Sequence, residues 1–531
     1  MKRIILALLC IYLAACAATA PSVSGASGLT FVHLNDTYRV GAVEDGNAGG
    51  FGRVVSVIRE LQAAGKDVRI LHGGDFLYPS LESQLWNGQQ IVDAFNFMDS
   101  LAPMYVVAGN HEFDRRTPEH LINAIAASKF DWLGDNYQLN TGSSETDAAL
   151  QNSFTIEHGD KTIGIFSLTA HPDHGGNDRD YVPINNDYLG IAETVIEQFE
   201  SIGVDAIIGL THLRLSEDLE IARLRAGHPT FVFVVGGHDH EPEFSQLSDD
   251  VAAVMKGASN ARAIWTIDMA FDDRGLPVIV TNKLDLDATV PVDPDYRVLE
   301  DKWRGRLLDT FPFLEARIGA AALPLDAREV AVRSVESGWG NFIADQMRTA
   351  FGEPAADLAF INGGTLRIDD MIEDDILFED IGRTFGYSSF LRYTTVSGAE
   401  FRQIMQAGYR GVGGTQGYFP QISGFRICVD RSRKEGDRIV SLQVPTDGEW
   451  HEIETEKEYS LVVPDFLYGG GDGYQIPKDR PASRPASELK YRVLDAVLAA
   501  QAQGLKIGVA IDSKNRRYHE LREGKEPCFV D

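Results

Sequence analysis

From Leu29 to roughly Asp285 the chain repeats one pattern: a short apolar run rich in β-branched residues, a polar loop, and a segment with helical periodicity. Short strands that alternate with helices predict a layered α/β sheet with functional groups where the strands end. The predicted helices cover 50–64, 87–100, 117–128 and 190–202. The predicted strands are LTFVHL, VRILHGG, MYVVAGN, TIGIFSLT, DAIIGLTH and FVFVVGGHDH.

Length indicates more than this one domain, because 531 residues exceed what a single hydrophobic core ordinarily holds. We predict an N-terminal layered α/β-sandwich domain at 29–290 and a C-terminal α/β domain at 323–531, which carries its own glycine loops, NGGTLR and YGGGDGY. The segment between them, 291–322, has charges throughout a mostly helical pattern that Pro312 interrupts. It is predicted to be a helical connector.

The N-terminus has the pattern of an export signal over 1–20, in which two basic residues precede the apolar run IILALLCIYLAAC. The run is too short for a comfortable transmembrane helix. Its end, LAAC, resembles the lipobox of bacterial lipoproteins, which predicts cleavage before Cys16 and a lipid-anchored protein in the periplasm or at the cell surface. Cleavage after Ala20, giving a freely secreted protein, is the alternative. Residues 21–28 are small and turn-rich and predict a tether.

Export and charge limit the partners of the protein. In an oxidising compartment Cys428 and Cys528 are candidates for a disulfide, with two free thiols as the alternative. The formal net charge of −29, from 78 acidic and 49 basic residues, opposes binding to nucleic acid polymers or to an anionic membrane surface. An anionic substrate would therefore require local positive charge from metal ions or from placed arginines.

Polar side chains follow several of the predicted strands. An aspartate after a strand is often only a helix cap, and a single histidine is often structural. Several such positions in order, all at predicted strand ends, favour one shared site. Carboxylates, imidazoles and an amide oxygen together are what a dinuclear site for divalent metals requires. These residues are Asp36, Asp75, Asn110, His111, Asp114, His212, His238 and His240.

In these blocks the chain resembles the calcineurin-like metallophosphoesterases, and more closely the exported 5'-nucleotidase family, which includes UDP-sugar hydrolases and 2',3'-cyclic phosphodiesterases. The resemblance covers nearly all of the mature chain. It implies a cofactor of two divalent ions (Zn, Mn, Co or Mg) that Asp75 bridges. The other ligands that it implies are Asp36 and His240 for one ion and Asn110, His212 and His238 for the other.

The resemblance also implies a catalytic pair and a mechanism. His111 would stabilise the phosphoryl transition state or the leaving group, and Asp114 would orient His111. Two adjacent cations would lower the pKa of a bound water and clamp the phosphoryl oxygens for in-line attack.

Two tyrosines depart from the family pattern or complicate it. The family usually has Asp-x-His in its first block, where this chain has Asp36, Thr37 and Tyr38. We expect Tyr38 to lie beside one divalent ion without binding it, because binding would require phenolate, and we expect that ion to be held more weakly. Tyr78 in GGDFLY has the Asp-x-x-Tyr spacing of purple acid phosphatases, where a tyrosinate binds ferric iron. Packing is the interpretation that we favour for Tyr78.

In the family the C-terminal domain supplies arginines for the anionic groups of the substrate and two aromatic rings that sandwich the base. Phe385 is an alternative to Tyr387 as one of these rings. Since the metals and the base clamp lie on separate domains, the resemblance implies domain rotation near the connector. The substrate-binding residues that it implies are Arg333, Asn362, Arg367, Tyr387, Phe466 and Asp472.

The sequence therefore predicts an exported phosphoesterase that hydrolyses nucleoside 5'-monophosphates to nucleoside and phosphate by metal-activated water. A 2',3'-cyclic nucleotide phosphodiesterase or a UDP-sugar hydrolase is the alternative within the class, because the metal ligands do not separate these substrates. A degenerate nucleotide-binding surface lipoprotein is the alternative of another class. We expect a nucleotide as partner, no nucleic acid polymer, and a membrane only through the lipid anchor; the sequence does not determine whether the protein is a monomer or a dimer.

Overall fold

The computed structural model describes residues 28–171, 179–411, 413–482, 486, 488–521 and 528–529. The predicted export signal with Cys16, and nearly all of the predicted tether, lie outside the described residues. Among the helices of the described part, none is both long and apolar enough to cross a membrane.

The first part of the chain folds into two sheets with helices on their outer faces. Its strands are β1 (Leu29–Leu34), β2 (Asp67–His72), β3 (Met104–Val107), β4 (Asp131–Leu133), β5 (Leu150–Gln151), β6 (Phe154–His158), β7 (Lys161–Thr169), β8 (Ala206–His212), β9 (Phe231–Gly236), β10 (Glu243–Ser245), β11 (Ala253–Lys256), β12 (Ala263–Phe271) and β13 (Pro277–Asp285). Its helices are α1 (Phe51–Ala63), α2 (Leu81–Trp86), α3 (Gln89–Asp99), α4 (Glu119–Ala127), α5 (Ser144–Ala149), α6 (Tyr188–Ile202), α7 (Leu215–Ala222) and α8 (Pro294–Thr310).

The order of the strands brings the polar loops together. One sheet runs β13-β12-β1-β2-β3-β4-β5 and the other β10-β11-β9-β8-β7-β6. Within them β1, β2 and β3 are parallel, as are β7, β8 and β9, so their carboxyl ends lie along common sheet edges. The inner faces share one apolar core, with Phe31 and Leu71 from one sheet and Leu210 and Phe233 from the other. Strands buried on both faces explain the continuous apolar runs, and the predicted α/β sandwich is confirmed.

The segment predicted as a connector packs against the first domain through α8. Asp293 caps the helix by accepting from the backbone N–H groups of Asp295 and Tyr296. The hydroxyl of Tyr296 donates to the Val40 carbonyl at 3.1 Å, and the Trp303 ring lies 5.1 Å from that of Trp86. The apolar residues on one side of this charged helix therefore pack against the first domain.

The second part of the chain contains two further four-stranded sheets and short two-stranded ribbons. Its strands are β14 (Arg317–Ala320), β15 (Leu325–Asp326), β16 (Leu358–Asn362), β17 (Met371–Ile372), β18 (Asp375–Leu377), β19 (Leu391–Ser397), β20 (Pro420–Ser423), β21 (Arg426–Val429), β22 (Ile439–Thr446), β23 (Glu449–Glu452), β24 (Glu458–Pro464) and β25 (Tyr518–Glu520). Its helices are α9 (Glu329–Val332), α10 (Gly338–Arg348), α11 (Phe378–Thr384), α12 (Gly398–Gly408), α13 (Asp465–Gly469) and α14 (Leu489–Ala502).

This C-terminal domain is organised around two apolar cores. The sheet β19-β24-β16-β20 lies between them, and the sheet β23-β22-β21-β25 completes the second core. Cys428 of β21 forms a disulfide with Cys528. Of the two alternatives that the sequence left open, a disulfide or two free thiols, the structure shows the disulfide. The strand β14 pairs with β18, so the chain enters this domain directly after α8. The domain boundaries near 290 and 322 stay predictions.

Candidate metal centre and active site

The loops after β1, β2 and β9 are held in a backbone conformation that side chains other than glycine rarely adopt. The φ angles are 52° at Asp36, 59° at Asp75, 83° at His238 and 64° at His240. Left-handed backbone at such residues costs free energy and tends to occur at functional sites. These four residues are among those that the sequence assigned to a metal site, and the loops bring their side chains to one place.

A first donor set surrounds the carboxylate of Asp36. Its Oδ1 atom lies 3.2 Å from His240 Nε2 and 3.3 Å from the hydroxyl of Tyr38. That hydroxyl is 3.0 Å from His240 Nε2 and 3.5 Å from Oδ2 of Asp75. We define the first donor set as Asp36 and His240 together with Asp75, with the Tyr38 hydroxyl beside them.

A second donor set shares Asp75 with the first. The same Oδ2 atom of Asp75 lies 3.2 Å from His212 Nε2. The amide oxygen of Asn110 is 3.2 Å from His212 Nε2 and 3.1 Å from His238 Nδ1. We define the second donor set as Asn110, His212 and His238 together with Asp75, so that Asp75 belongs to both sets.

The spacing of these atoms fits divalent ions. Metal–ligand bonds of about 2.1 Å put neighbouring ligands about 3.0 Å apart in an octahedron and about 3.4 Å apart in a tetrahedron. The contacts between the predicted ligand atoms here are 3.1 to 3.2 Å long. Ligand atoms of Asp36, Asp75 and His212 all lie within 4.8 Å of one another. His212 donates from Nδ1 to the Gly73 carbonyl, which leaves its Nε2 bare as a ligand atom.

Charge in the site is balanced between carboxylates and imidazoles. Burial opposes ionisation of Asp75, but His212 and His111 outweigh it and hold the pKa of Asp75 below its usual range. Burial also opposes protonation of His212, yet Asp75 and Asp36 raise the pKa of His212 to about 9. Burial and the neighbouring His212 lower the pKa of His238 to about 3. A cation that binds here therefore displaces a proton from His212.

Glu112, which was not among the predicted site residues, organises the loops that carry Asp75 and Gly109. Its buried carboxylate accepts from the backbone N–H groups of Asp75 at 2.9 Å, Phe76 and Leu77 at 2.8 Å, and Gly109 at 2.6 Å. Gly109 is required, because a Cβ atom there would lie 2.1 Å from Oδ1 of Asp75. In the sequence, Glu112 stands in GNHEFD between the predicted site residues His111 and Asp114, and that position could have identified it.

The predicted catalytic pair lies beside the carboxylate of Asp75. Nδ1 of His111 is 3.0 Å from Oδ2 of Asp114, while the backbone N–H of His111 donates to Oδ1 of Asp75 at 2.8 Å. The Nε2 atom of His111 is 3.8 Å from Oδ2 of Asp75. The geometry thus brings His111 to the shared ligand and Asp114 to His111.

Two C-terminal residues reach the same point. The Nη2 atom of Arg367 lies 3.3 Å from His111 Nε2, and the Tyr387 hydroxyl is 3.0 Å from His111 Nδ1. The guanidinium also stands over the ring of Tyr38, 5.2 Å from its centroid. The Nε and Nη1 atoms of Arg367 are buried without a hydrogen-bond partner, which leaves them available to an anion. Phe385, the alternative to Tyr387, is buried in an apolar core.

The remaining predicted substrate residues lie elsewhere in the C-terminal domain. Arg333 is buried and its guanidinium pairs with Glu329 at 2.9 Å. Asn362 donates to the Asp472 carboxylate at 2.7 Å. The Phe466 side chain is 38% exposed beside the glycine loop. Only Arg367 and Tyr387 of the predicted substrate residues have a direct contact with His111 among the contacts of the described residues.

Two family models match this chain. Residues 29–242 match the calcineurin-like phosphoesterases, and residues 317–479 match the 5'-nucleotidase C-terminal domain. The chain belongs to the family that joins these two domains. It is accordingly a metallophosphoesterase of the 5'-nucleotidase type, from a group of hydrolases that use divalent metals.

Individual relatives of this two-domain family are distant. Human 5'-nucleotidase is 23% identical over 522 residues, covering 90% of this chain and 89% of its own. The trifunctional nucleotide phosphoesterase YfkN of Bacillus subtilis is 24% identical over 515 residues, and the match spans 34% of that longer protein. The structure of a 5'-nucleotidase precursor from Thermus thermophilus superimposes with a TM-score of 0.78 at 22% identity, covering 94% of this chain and 100% of that one. That similarity supports the fold.

Tyr38 and Tyr78 both lie in the metallophosphoesterase domain. The Tyr38 hydroxyl stands beside the first donor set, and burial, with Asp36 and Asp75 nearby, raises the pKa of Tyr38 well above its usual range. That Tyr38 does not bind the ion stays a prediction. The hydroxyl of Tyr78 donates to Oδ1 of Asn87 at 2.8 Å, outside both donor sets, as expected of a packing residue.

Proposed function

We propose that the protein hydrolyses nucleoside 5'-monophosphates to nucleoside and inorganic phosphate, with one divalent ion at each donor set. The observation that carries the proposal is that both sets share Asp75, that His111 lies beside this shared residue, and that the guanidinium of Arg367 contacts His111. A phosphoryl group held there would meet cations, a positioned imidazole and an arginine at once.

The chemistry divides between the ions and the side chains. Bound divalent ions supply Lewis acidity and a nucleophilic water at neutral pH. Arg367 has two unpaired donor atoms to offer to phosphoryl oxygens, as a planar guanidinium does best. His111, oriented by Asp114, holds a proton at Nε2 for the developing charge on the phosphoryl or leaving oxygen. In a protein of net charge −29, this local positive charge is what attracts an anionic substrate.

We assign the nucleoside to the C-terminal domain. The pair of Asn362 and Asp472 provides polar groups for a base or ribose, and the partly exposed Phe466 provides a ring for stacking. The contacts of Arg367 and Tyr387 with His111 occupy the space beside the ligands. Entry of a nucleotide therefore requires the two domains to move apart, and catalysis requires them to close again.

The proposal is tested by measuring phosphate release from metal-loaded enzyme with AMP, cyclic 2',3'-AMP and UDP-glucose. We expect AMP to have the highest kcat/KM. His111→Ala should lower that value about 10²–10⁴-fold, whereas His228→Ala, which removes an imidazole paired with Glu200, should not change it. If enzyme with two bound ions turns over none of these nucleotides, the proposal fails in favour of a nucleotide-binding protein.

We further propose export and lipid anchoring at Cys16, on the strength of the lipobox-like LAAC and the apolar run before it. The disulfide between Cys428 and Cys528 agrees with an oxidising compartment. Metabolic labelling with palmitate should mark the wild type and not Cys16→Ser. An unlabelled wild-type protein in the medium would support free secretion instead.

A further inference from the structure

The two donor sets differ in which domain holds their ligands in place. In the second set His212 donates from Nδ1 to the Gly73 carbonyl at 2.6 Å, and Glu112 fixes the loop of Asp75. Both supports belong to the N-terminal domain. In the first set Nδ1 of His240 is 2.5 Å from Oε1 of Glu329, which begins α9 of the C-terminal domain.

Glu329 is held from both domains at once. Its carboxylate accepts from Ser259 and, at 3.2 Å, from Arg262, both of which are in the N-terminal domain. Its own domain contributes Arg333 at 2.9 Å. The Glu329 side chain is 7% exposed and that of His240 is 4% exposed. Burial opposes ionisation of Glu329, but Arg333, His240 and Arg262 outweigh it and keep the pKa of Glu329 well below its usual range.

A second contact joins the same ligands to the C-terminal domain. The amide of Asn260 donates to Asp369 at 3.1 Å, and Asp369 also accepts from the backbone N–H of Glu329 at 2.8 Å. On its other side Asn260 accepts from the backbone N–H of Tyr38 at 3.1 Å and donates from its own N–H to the Asp36 carbonyl at 2.8 Å. The backbone of the first donor set is thus linked to the docked C-terminal domain.

We propose that Glu329 is a positioning residue through which docking of the C-terminal domain completes the first metal position. The inference rests on the two ions of the proposed function. A carboxylate on Nδ1 of a histidine fixes the tautomer and ring orientation that leave Nε2 free for a metal, and it makes that nitrogen a stronger ligand. When the domains separate, His240 loses this partner, while His212 keeps the Gly73 carbonyl.

The coupling acts in both directions. If docking of the C-terminal domain raises the affinity of the first position for its ion, then binding of that ion favours docking by the same factor. The second position keeps its supports in either arrangement. Separation of the domains for nucleotide exchange therefore lowers the affinity for the first ion alone. When the domains dock again, His240 regains its partner and the affinity of the first position is restored.

The test is a calorimetric titration of metal-free protein with Mn²⁺ as the probe. We expect two binding events in the wild type. Glu329→Ala should weaken one of them about 10–100-fold, as loss of an outer partner of a ligand does, and leave the other unchanged; Glu329→Gln should fall between. The matched control is Glu200→Ala, which removes a carboxylate paired with the imidazole of His228 at 2.8 Å within the N-terminal domain; it should leave both affinities unchanged.

A second arm separates positioning from a merely structural role. In the background of His240→Ala, the further change Glu329→Ala should cause no additional loss of Mn²⁺ affinity, because Glu329 acts through His240. In small-angle scattering, Mn²⁺ should reduce the radius of gyration of the wild type. The reduction should be smaller for Glu329→Ala. Equal affinities in Glu329→Ala and the wild type, or equal weakening of both events, overturn the inference alone. A wild type that binds fewer than two ions overturns the proposed function as well.

Discussion

Lys256 is a buried cation beside the loop that follows β9. It ends β11 with its side chain wholly buried, and Nζ lies 2.9 Å from Oδ2 of Asp218 and 2.7 Å from Oδ2 of Asp239. The ammonium also donates to the carbonyls of Leu213 at 2.5 Å and Gly237 at 2.8 Å. Gly237 and Asp239 flank His238, so one buried cation fixes the loop that carries two predicted ligands.

We predict that Lys256→Met lowers the free energy of unfolding of the N-terminal domain by about 3–5 kcal/mol, since removing one partner of a buried ion pair leaves an uncompensated charge. Asp218 is fully buried and provides most of this cost, whereas Asp239, whose side chain is 32% exposed, stays solvated. The loosened loop should also weaken Mn²⁺ binding. Urea denaturation of metal-free protein measures the first effect, and calorimetric titration measures the second.

Two further variants make this reasoning refutable. Lys256→Met with Asp218→Asn should recover part of the lost stability, because the orphaned charge is removed. Lys161→Met breaks a surface pair with Asp205 and should cost much less. A Lys256→Met protein as stable as the wild type, or a double variant no more stable than the single one, would refute the argument.

Three other predictions follow from single side chains. Burial raises the pKa of Asp380 from 3.8 to about 7, so between these pH values the native state holds a proton that the unfolded state has lost. Stability should therefore fall as pH rises from about 4 to about 7. Asp380→Asn should flatten that fall in thermal denaturation, and an unchanged slope would contradict the prediction. Tyr387→Phe should lower kcat for AMP about 10-fold with less effect on KM, as loss of a hydrogen bond to His111 does; if only the ring matters, kcat will not change. Tyr38→His should raise divalent metal affinity in equilibrium dialysis, and an unchanged affinity would contradict a weak first position.

The sequence predicted what local patterns control. The run LTFVHL is buried on both faces and became β1 with the predicted bounds, whereas the predicted strand FVFVVGGHDH became β9 only over its apolar part and ends at Gly236. Because parallel strands end at a common edge, the polar residues after them could be expected to meet, and Asp36, Asp75 and His212 do so. The sequence could predict that these residues meet for this topological reason, whereas their binding of two ions stays a prediction.

Contacts between distant parts of the chain could not be predicted from local sequence patterns. Glu329 and His240 are 89 positions apart and meet only through docking of the two domains. The Tyr387 phenol was predicted as a stacking ring, and its hydroxyl contact with His111 depends on the same docking. Lys256 could not be recognised as buried, because nothing in its own segment shows the two carboxylates that compensate it. These interactions follow from tertiary packing rather than from local propensity.

The most direct test of a two-ion phosphoesterase is phosphate release from AMP by chelator-stripped enzyme that is reloaded with Mn²⁺ in known equivalents. We expect no release from stripped enzyme and activity that rises only as the second equivalent binds. Asp75→Asn should be inactive throughout, because both donor sets lose their shared residue. Full activity after stripping, or an enzyme with two bound ions that releases no phosphate, would contradict this expectation.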